Sequence, residues 1–382
     1  GFGWDLPTQQ CWASMRLVSL ACLPFDDAHE GLALGLNSKP MMSVHLLWIA
    51  LAVSNPVDAA VVKVDISREF EGLSYGLTAK LKVDGQDVKA VVDTGARETF
   101  FIWRPWYETL VPGGCKTILY KCYDCKPDQC AQGPNYEVSF SDGSKVTLFE
   151  HTGKFAFDVG EVSIDFGLTK DYKSPSSKID PHAGLGLRSS GKSTSGRKTL
   201  LDQLVSRKVI STDVFSLYLT TAEHATGKLI LGGDDPSLYK APMSFVKVVK
   251  TGFVTLTGFH IGGDSYPREF VLSDGYLDTG ADIFGVPAKF LVTIAHSIAT
   301  RGKKRFQMRR EDGWYVITCT DRQYLPDLTF FMDGPDGSEV PLVITPDAYV
   351  EPKPKPGSKD CKLLVDEDPD NEWTIGHPAL LG

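Results

Sequence analysis

The hydrophobic and polar positions from residue 60 onward follow a short period that is typical of β-strands. Gly, Pro, Asp and Ser interrupt the chain roughly every ten residues, and the runs between them are rich in β-branched and aromatic residues. Residues 74–83 (SYGLTAKLKV) and 136–140 (YEVSF) alternate polar and apolar side chains, as half-buried strands do. Turn-forming pairs, 84–85 (DG) and 142–143 (DG), lie where hairpins would turn. The pattern predicts a mainly β fold.

Two segments have the period of a helix instead. Residues 198–208 (KTLLDQLVSRK) and 287–300 (PAKFLVTIAHSIAT) repeat apolar residues at helical spacing, and the second begins with proline, which suits a helix start. Residues 301–310 (RGKKRFQMRR) are strongly basic. Because Glu311 and Asp312 follow at once, we interpret this stretch as a solvated loop rather than as a nucleic-acid patch. We expect two or three helices in all.

Length and charge narrow the class of protein. A chain of 382 residues can form one large core or two modest ones, and two domains are the better expectation. With 48 acidic and 40 basic residues the net charge is -8, which disfavours a nucleic acid or an anionic membrane as partner.

An apolar run near the start predicts targeting. Residues 46–53 are eight consecutive apolar residues, too few to span a bilayer but enough for the core of a signal peptide. We predict a signal peptide at 41–59, cleaved after Ala59, with a buried strand or helix as the alternative. Residues 1–40 show no clean periodicity, and we expect them to be a leader outside the fold.

Four of the eight cysteines form a cluster: Cys115, Cys122, Cys125 and Cys130. No histidine is close to them in the sequence, and their spacing lacks the paired Cys-x2-Cys form of a zinc ribbon. With a signal peptide upstream, we predict disulfides rather than a metal. Four cysteines allow three pairings, and the sequence leaves the choice open.

One short segment occurs twice. AVVDTGARETF (90–100) and GYLDTGADIF (275–284) share an apolar approach, Asp-Thr-Gly-Ala, a charged residue and a nearby phenylalanine. Their aspartates, Asp93 and Asp278, are 185 residues apart. A repeat in the same local context indicates an internal duplication with one copy in each half of the chain.

Catalysis by a pair of carboxyls would explain why Asp-Thr-Gly occurs twice. Two carboxyls that face each other at about 3 Å cannot both ionise, and they share one proton. One then acts as a base that activates water for attack on a carbonyl, and the other protonates that carbonyl. Glycine permits a tight turn beside the carboxyl, and the threonine hydroxyl can hydrogen-bond the two loops together.

Residues from about 70 to 382 resemble the pepsin-like aspartic proteases. Besides the two Asp-Thr-Gly segments, YEVSFSDGS (136–144) is similar to the flap hairpin of that family, and 182–187 (HAGLGL) and 372–380 (EWTIGHPAL) are similar to its two hydrophobic-hydrophobic-Gly elements. The resemblance implies a mainly β, bilobal fold of two related β-barrel-like lobes with few short helices and a cleft between them. We expect an N-terminal lobe at 60–240 and a C-terminal lobe at 241–382.

The resemblance also implies roles for particular residues. Asp93 and Asp278 would be the catalytic pair, supported by Thr94, Gly95, Thr279 and Gly280. Phe140, Ser141, Asp142 and Gly143 would form the flap over a bound peptide, and Cys319 would pair with Cys361. The implied protein is a secreted or vesicular aspartic endopeptidase that acts as a monomer on peptides or proteins, without a cofactor or metal. The alternative is a catalytically weak or silent relative that binds peptides.

Four positions depart from the family. It usually has Ser or Thr where this chain has Ala96 and Ala281, and those hydroxyls stabilise the ionised carboxyls. We therefore expect raised pKa values and a less acidic optimum. Phe140 and Phe100 replace a hydrogen-bonded Tyr and Trp. The two rings either pack together or make a poorer flap, and Trp103 is close enough in sequence to substitute in part.

The ends of the chain also differ from the family pattern. Between Ala59 and the first strand there is no room for a typical Lys-rich inhibitory pro-segment, so either activation works differently or the sequence departs from the true gene product here. Relatives continue for one or two strands beyond the position of Gly382, and we expect the C-terminal lobe to be truncated.

Overall fold

The computed structural model describes two short strands near the start of the chain by their backbone, followed by most of residues 60–380. Within that range the residues left out are 72–73, 175–180, 189–195, 221–224, 241–242, 266–272 and 352–356. The predicted signal peptide at 41–59 lies outside the described residues, as does the predicted leader at 1–40 apart from the two strands.

Twelve of the described strands form the first sheet. They are β1 (Gln10–Trp12), β2 (Val18–Leu23), β3 (Val62–Glu71), β4 (Ser74–Val83), β5 (Gln86–Asp93), β6 (Thr99–Ile102), β7 (Asn135–Ser139), β8 (Lys145–Phe157), β9 (Gly160–Lys173), β10 (Gly184–Gly186), β11 (Phe215–Leu219) and β12 (Thr226–Leu231). Their order is β1-β2-β11-β12-β3-β4-β5-β10-β6-β9-β8-β7, and β4 also pairs with β8.

The remaining described strands belong to the second half of the chain. They are β13 (Val248–Lys250), β14 (Phe253–Ile261), β15 (Asp264–Ser265), β16 (Asp274–Asp278), β17 (Phe284–Val286), β18 (Arg309–Glu311), β19 (Trp314–Thr318), β20 (Leu328–Asp333), β21 (Glu339–Ile344), β22 (Asp360–Lys362), β23 (Val365–Glu367) and β24 (Trp373–Gly376). A second sheet has the order β21-β20-β14-β16-β24-β17-β23, with β13 and β15 also on β14, and a third has the order β18-β19-β22. The mainly β prediction is confirmed, and the predicted lobe boundary falls between β12 and β13.

The two predicted helices, 198–208 and 287–300, are present with slightly shifted ends, but the expected total of two or three is too low, because the described residues also form two helices of seven residues or fewer. The described α-helices are α1 (Arg104–Leu110), α2 (Leu200–Ser206), α3 (Ala288–Arg301) and α4 (Pro346–Tyr349). α2 begins at a capping box, because the side chains of Thr199 and Asp202 each accept a hydrogen bond from the backbone N of the other. α3 begins directly after Pro287. No helix in the described part of the chain is long and apolar enough to cross a bilayer.

The basic segment 301–310 is only partly the loop that its composition predicts. Arg301 ends α3, and Arg309 begins β18, so the loop between them is limited to 302–308. The guanidinium of Arg309 lies 2.7 Å from a carboxylate oxygen of Asp360, which places it against β22. Pairing of β18 with β19 explains why this end of the segment is extended.

Local turn chemistry fixes the hairpins as predicted. Asp84 and Gly85 have φ values of 47° and 73°, so both central residues of the β4–β5 turn are left-handed, as a type I′ turn requires. This turn sets the pairing of Val83 with Gln86 and, from there, the register that carries β5 to Asp93.

Aromatic side chains form the core behind the second sheet. Phe259, Phe284, Phe330 and Trp373 are at most 1% exposed. The ring centres of Phe259 and Phe330 lie 4.3 Å apart, and those of Phe284 and Phe330 lie 4.9 Å apart. Each buried ring contributes roughly 2–3 kcal/mol. Trp373 belongs to β24, which pairs with β16, and Phe284 belongs to β17 on the far side of β24, so this core supports the part of the sheet that carries Asp278.

Three disulfides are present among the described residues. Cys319 pairs with Cys361, as the family resemblance implied. Of the three pairings that the sequence left open, the cluster adopts Cys115–Cys122 and Cys125–Cys130.

Candidate active site

Two aspartates end two equivalent strands. Asp93 is the last residue of β5, and Asp278 is the last residue of β16. Both strands alternate buried and half-exposed residues, and each aspartate occupies a half-exposed position. Alternation therefore turns both carboxyls to the open face of the sheet, while Val92 and Leu277 point into the core.

Thr94 and Thr279 join the two loops by reciprocal hydrogen bonds, an arrangement that we call the threonine bracket. The backbone N of each threonine donates to Oγ1 of the other at 3.0 Å. Thr94 Oγ1 donates to the Leu277 carbonyl at 2.9 Å, and Thr279 Oγ1 donates to the Val92 carbonyl at 2.6 Å. Both threonines are buried, so each hydroxyl satisfies a backbone donor and a backbone acceptor that water does not reach.

The glycines allow each loop to approach the opposite carboxyl. Gly95 N donates to Asp93 Oδ1 and Gly280 N donates to Asp278 Oδ1, both at 2.8 Å. A Cβ atom on Gly95 would lie 2.8 Å from both carboxylate oxygens of Asp278. A Cβ atom on Gly280 would lie 2.7 Å from Cγ of Asp93. Any larger residue at either position would push the carboxyls apart.

The environment of the pair favours a retained proton. Burial and then the charge of Asp278 raise the pKa of Asp93 to about 7, against the opposing effect of the Ala96 and Gly95 N–H donors. Burial also raises the pKa of Asp278, and the two carboxyls are hydrogen-bonded to each other. Because two adjacent like charges destabilise each other, the pair retains a proton to a higher pH than an isolated aspartate does.

The alanines after the two Asp-Thr-Gly segments contribute backbone donors only. Ala96 N donates to Asp93 Oδ1 at 2.8 Å, beside the bond from Gly95. A methyl group supplies no hydroxyl that could stabilise the ionised carboxyl further. The less acidic optimum that this predicts stays a prediction.

Two short strands lie beside the aspartate strands in equivalent positions. β10 runs parallel to β5 and pairs Gly186 with Asp93. β24 runs parallel to β16 and pairs Gly376 with Asp278. These strands come from the two hydrophobic-hydrophobic-Gly elements of the sequence, and they give both halves of the site the same local topology.

The segment predicted as a flap is a hairpin of β7 and β8. Its tip is closed by Phe140 N donating to the Ser144 carbonyl at 2.9 Å and by Ser144 N donating to Asp142 Oδ1 at 2.8 Å. Gly143 has a φ of 85°, which favours glycine. The exposed residues of the tip are Ser141, Asp142 and Gly143.

An aromatic contact joins the flap tip to the sheet below it. The ring centre of Phe140 lies 6.2 Å from that of Phe100 and 4.9 Å from that of His182, which it meets edge-on. Phe100 is fully buried on β6, next to β10. The two phenylalanines therefore pack together, while Trp103 packs edge-on against Phe149 and supports the base of the hairpin instead.

Some polar groups at the site were not found from the sequence. Tyr276 Oη donates to the Gly95 carbonyl at 3.3 Å, across the two loops. His377 Nδ1 lies 2.9 Å from the Ala281 carbonyl, and burial followed by the charge of Arg68 lowers the His377 pKa to about 3, so the ring is neutral. Tyr276 could have been identified, since a residue two before an aspartate on a strand shares its face.

One group of described side chains brings metal-ligating atoms together. Ligand atoms of Cys125, Cys130 and His151 all lie within 4.8 Å of one another. The sequence showed no histidine close to these cysteines because His151 comes from β8. Both sulfurs are bonded to each other in a disulfide and neither is a thiolate, the form that ligates zinc. The prediction of disulfides at this cluster is confirmed.

The fold and the site define a class of protein. Two mainly β halves, each ending a strand in an Asp-Thr-Gly loop and joined through the threonines of those loops, are the arrangement of pepsin-like aspartic endopeptidases. The family model described as eukaryotic aspartyl protease matches residues 74–381, so the chain belongs to that family.

Three relatives indicate how distant the family members are. Gastricsin from Cavia porcellus is 27% identical over 224 residues, which cover 58% of this chain and 54% of gastricsin. Pepsin A from Sus scrofa is 23% identical over 306 residues, covering 77% of this chain and 73% of pepsin A. Rhizopuspepsin-1 from Rhizopus niveus is 26% identical over 298 residues, covering 76% and 71% of the two chains. The matched part thus spans between about half and three quarters of these relatives.

Proposed function

We propose that this protein is an active aspartic endopeptidase in which Asp93 and Asp278 hydrolyse peptide bonds. One carboxylate takes a proton from a bound water, which attacks the peptide carbonyl, while the other carboxyl gives its proton to the carbonyl oxygen. The observation that carries the proposal is the geometry of the pair: the threonine bracket holds the two loops together, and the glycine of each loop lies against the carboxyl of the other. The raised pKa values of both carboxyls agree with a proton shared between them.

Supporting roles follow from the contacts of the neighbouring residues. Thr94 and Thr279 hold the two loops together, and Gly95 and Gly280 let each loop reach the opposite carboxyl. The flap tip, residues 140–143, would lie over an extended peptide that binds through β-type backbone contacts.

A peptide-binding protein with little or no turnover is the second candidate. Ala96 and Ala281 remove hydroxyls that active relatives use, and Phe140 replaces the flap tyrosine. All six Asp-Thr-Gly residues are nevertheless present, which favours the enzyme.

A cleavage assay distinguishes the two candidates. The full chain would be incubated with a randomised peptide mixture from about pH 3 to about pH 8, with and without a statine-type inhibitor. We expect cleavage that the inhibitor blocks and that Asp93→Asn and Asp278→Asn both abolish. Cleavage that persists in either variant would refute the assignment, and inhibitor binding without cleavage in the wild type would favour the second candidate.

We also propose a secreted or endomembrane-lumenal location. The three disulfides support it, since such bonds persist in oxidising compartments. N-terminal sequencing of the protein secreted from eukaryotic cells tests this, with a mature start at Ala60 expected.

A further inference from the structure

An aromatic strip continues directly from the candidate catalytic pair. Tyr276 lies two residues before Asp278 on β16, so the two side chains share one face of the strand. Phe253 on β14 is paired in register with Tyr276, and their ring centres lie 4.6 Å apart at 32°. Both residues are half-exposed. The two rings therefore form a surface that begins beside the Asp278 carboxyl.

A cation lies at each end of this surface. The guanidinium carbon of Arg188 is 6.0 Å from the centre of the Tyr276 ring, and Lys250 Nζ is 3.7 Å from the centre of the Phe253 ring. Arg188 follows β10, and its backbone N donates to the Ala96 carbonyl at 2.9 Å, so the Asp93 loop fixes its position. We call Arg188, Tyr276, Phe253 and Lys250 the basic-aromatic strip.

Neither cation of the strip is neutralised by a carboxylate of the described chain. No carboxylate oxygen among the described residues lies within 4.0 Å of either charged group, whereas Arg197 and Arg207, also on the N-terminal side, each pair with an acidic residue. Burial and then the charge of Asp278 raise the pKa of Tyr276, the charge of Arg188 lowers it, and the charges of Asp93 and Glu372 raise it further. Glu372 is close enough to affect Tyr276 by its charge, but no carboxylate oxygen of Glu372 lies within 4.0 Å of the Arg188 guanidinium.

We infer that the basic-aromatic strip is a substrate subsite that selects an aspartate or glutamate side chain close to the scissile bond. The inference rests on the proposed peptidase function and adds a substrate class to it. The negative charge of the aspartate pair disfavours an acidic side chain nearby, and an unpaired guanidinium offsets that repulsion and can bind a carboxylate in bidentate geometry. The methylenes of the substrate side chain would pack on the rings of Tyr276 and Phe253.

Matched peptides test the preference. Pairs that differ only in Glu or Gln would be compared at each position near the scissile bond, at about pH 6, where glutamate is ionised. We expect the ratio of kcat/KM values to favour Glu by roughly three- to tenfold at one position, as a partly exposed charge pair provides. Arg188→Gln should bring that ratio close to one, and Arg188→Glu should favour Lys at the same position.

The control is another arginine that lies against a tyrosine ring, away from the candidate active site. Arg310 lies 5.4 Å from the ring centre of Tyr315, in the β18–β19 hairpin, and Arg310→Gln should leave the ratio at the wild-type value. A ratio close to one at every position in the wild type, or a preference that survives in Arg188→Gln, would overturn the inference and leave the peptidase function standing.

Failure of the peptidase function gives a different result. If no peptide is cleaved, the same pairs are tested for binding by fluorescence anisotropy. Tighter binding of the Glu peptide by the same factor, lost in Arg188→Gln, would support the subsite without catalysis. Equal binding of both peptides would overturn it.

Discussion

At the residue scale, the position after each Asp-Thr-Gly affects how firmly the carboxyls hold their shared proton. Ala96 lies against Asp93 and gives it one backbone donor. A hydroxyl there would add a third hydrogen bond to the ionised form, beside those from Gly95 N and Ala96 N, and that form would gain stability. A substitution of Ala96 alone should therefore change the pH dependence of activity.

Ala96→Ser should shift the pH dependence of activity downward. Since the pKa of Asp93 is raised to about 7, kcat/KM should fall as pH rises through about 7, where the pair loses its proton. Ala96→Ser lowers that pKa, so the alkaline limb should move by roughly half a pH unit or more to lower pH. A pH–rate profile with an uncharged peptide measures it. Ala156→Ser, at an exposed position of β8, is the control, and an unmoved limb in Ala96→Ser would contradict the prediction.

Residues within the repeated segment could be predicted because their relation is local. Asp93, Thr94 and Gly95 are adjacent in the chain, and the second copy identifies their counterparts. The face that Tyr276 shares follows from its position two residues before Asp278, but its partner does not, because the Gly95 carbonyl lies on the loop of the other half. His377 bonds to the Ala281 carbonyl, 96 residues away in the same half, and no local pattern specifies that contact.

At the scale of elements, the flap hairpin depends on its aromatic contacts. β7 and β8 are paired from Asn135 to the tip, but the tip meets the sheet mainly through the ring of Phe140. An edge-on or tilted ring contact contributes about 0.5–1.5 kcal/mol beyond burial. That is enough to change how the flap is positioned without unfolding the sheet.

Phe140→Ala should weaken substrate binding more than it lowers stability. Losing the contacts with Phe100 and His182 should reduce kcat/KM by roughly two- to tenfold, mostly through KM. Steady-state kinetics and a thermal melt measure the two effects. Leu110→Ala, at an exposed position that ends α1, is the matched truncation and should change neither. A large loss of thermal stability in Phe140→Ala with unchanged KM would show that the ring serves the fold instead.

Hairpins were predictable at this scale, whereas pairings between distant segments were not. The turn at Asp84-Gly85 could be predicted because both residues tolerate a left-handed backbone. The pairing of Cys115 with Cys122 depends instead on how residues 103–123 fold back, with Trp103 bridged to Tyr123. The approach of His151 to Cys125 depends on the position of the long strand β8. The spacing of these residues in the sequence does not predict that contact.

At the scale of the whole molecule, the duplication relates the two halves only around the site. β5 with β10 and β16 with β24 have the same parallel pairing at the aspartate. Away from the site, the first half forms one sheet of twelve described strands, while the described strands of the second half form two sheets. Repetition in the sequence therefore predicted the centre of the molecule better than its periphery.

Thr279→Val should destabilise the joined halves. The substitution leaves the Val92 carbonyl without its donor and the Thr94 backbone N without its acceptor, and both groups are buried. We expect the free energy of unfolding to fall by roughly 2–4 kcal/mol. Chemical denaturation measures this.

Two further variants make that measurement specific. Thr279→Ser keeps the hydroxyl and should restore most of the stability. Thr300→Val removes a hydroxyl that donates within α3 to the His296 carbonyl at 2.8 Å, and it should cost less than about 1 kcal/mol. Equal losses in Thr279→Val and Thr300→Val would contradict a special role for the threonine bracket.

The close approach of each glycine to the opposite carboxyl limits how the two halves of the molecule can move relative to each other. Gly95 and Gly280 lie against the two aspartates, and the threonines hydrogen-bond the loops directly beneath them. A separation of the halves at this point would break the whole arrangement at once, whereas a rotation about it would not. The candidate catalytic pair thus lies at the point where the two halves are held together most directly. We therefore expect any relative motion of the two halves to be a rotation about this point, which would change the width of the cleft at its ends and leave the carboxyl geometry constant.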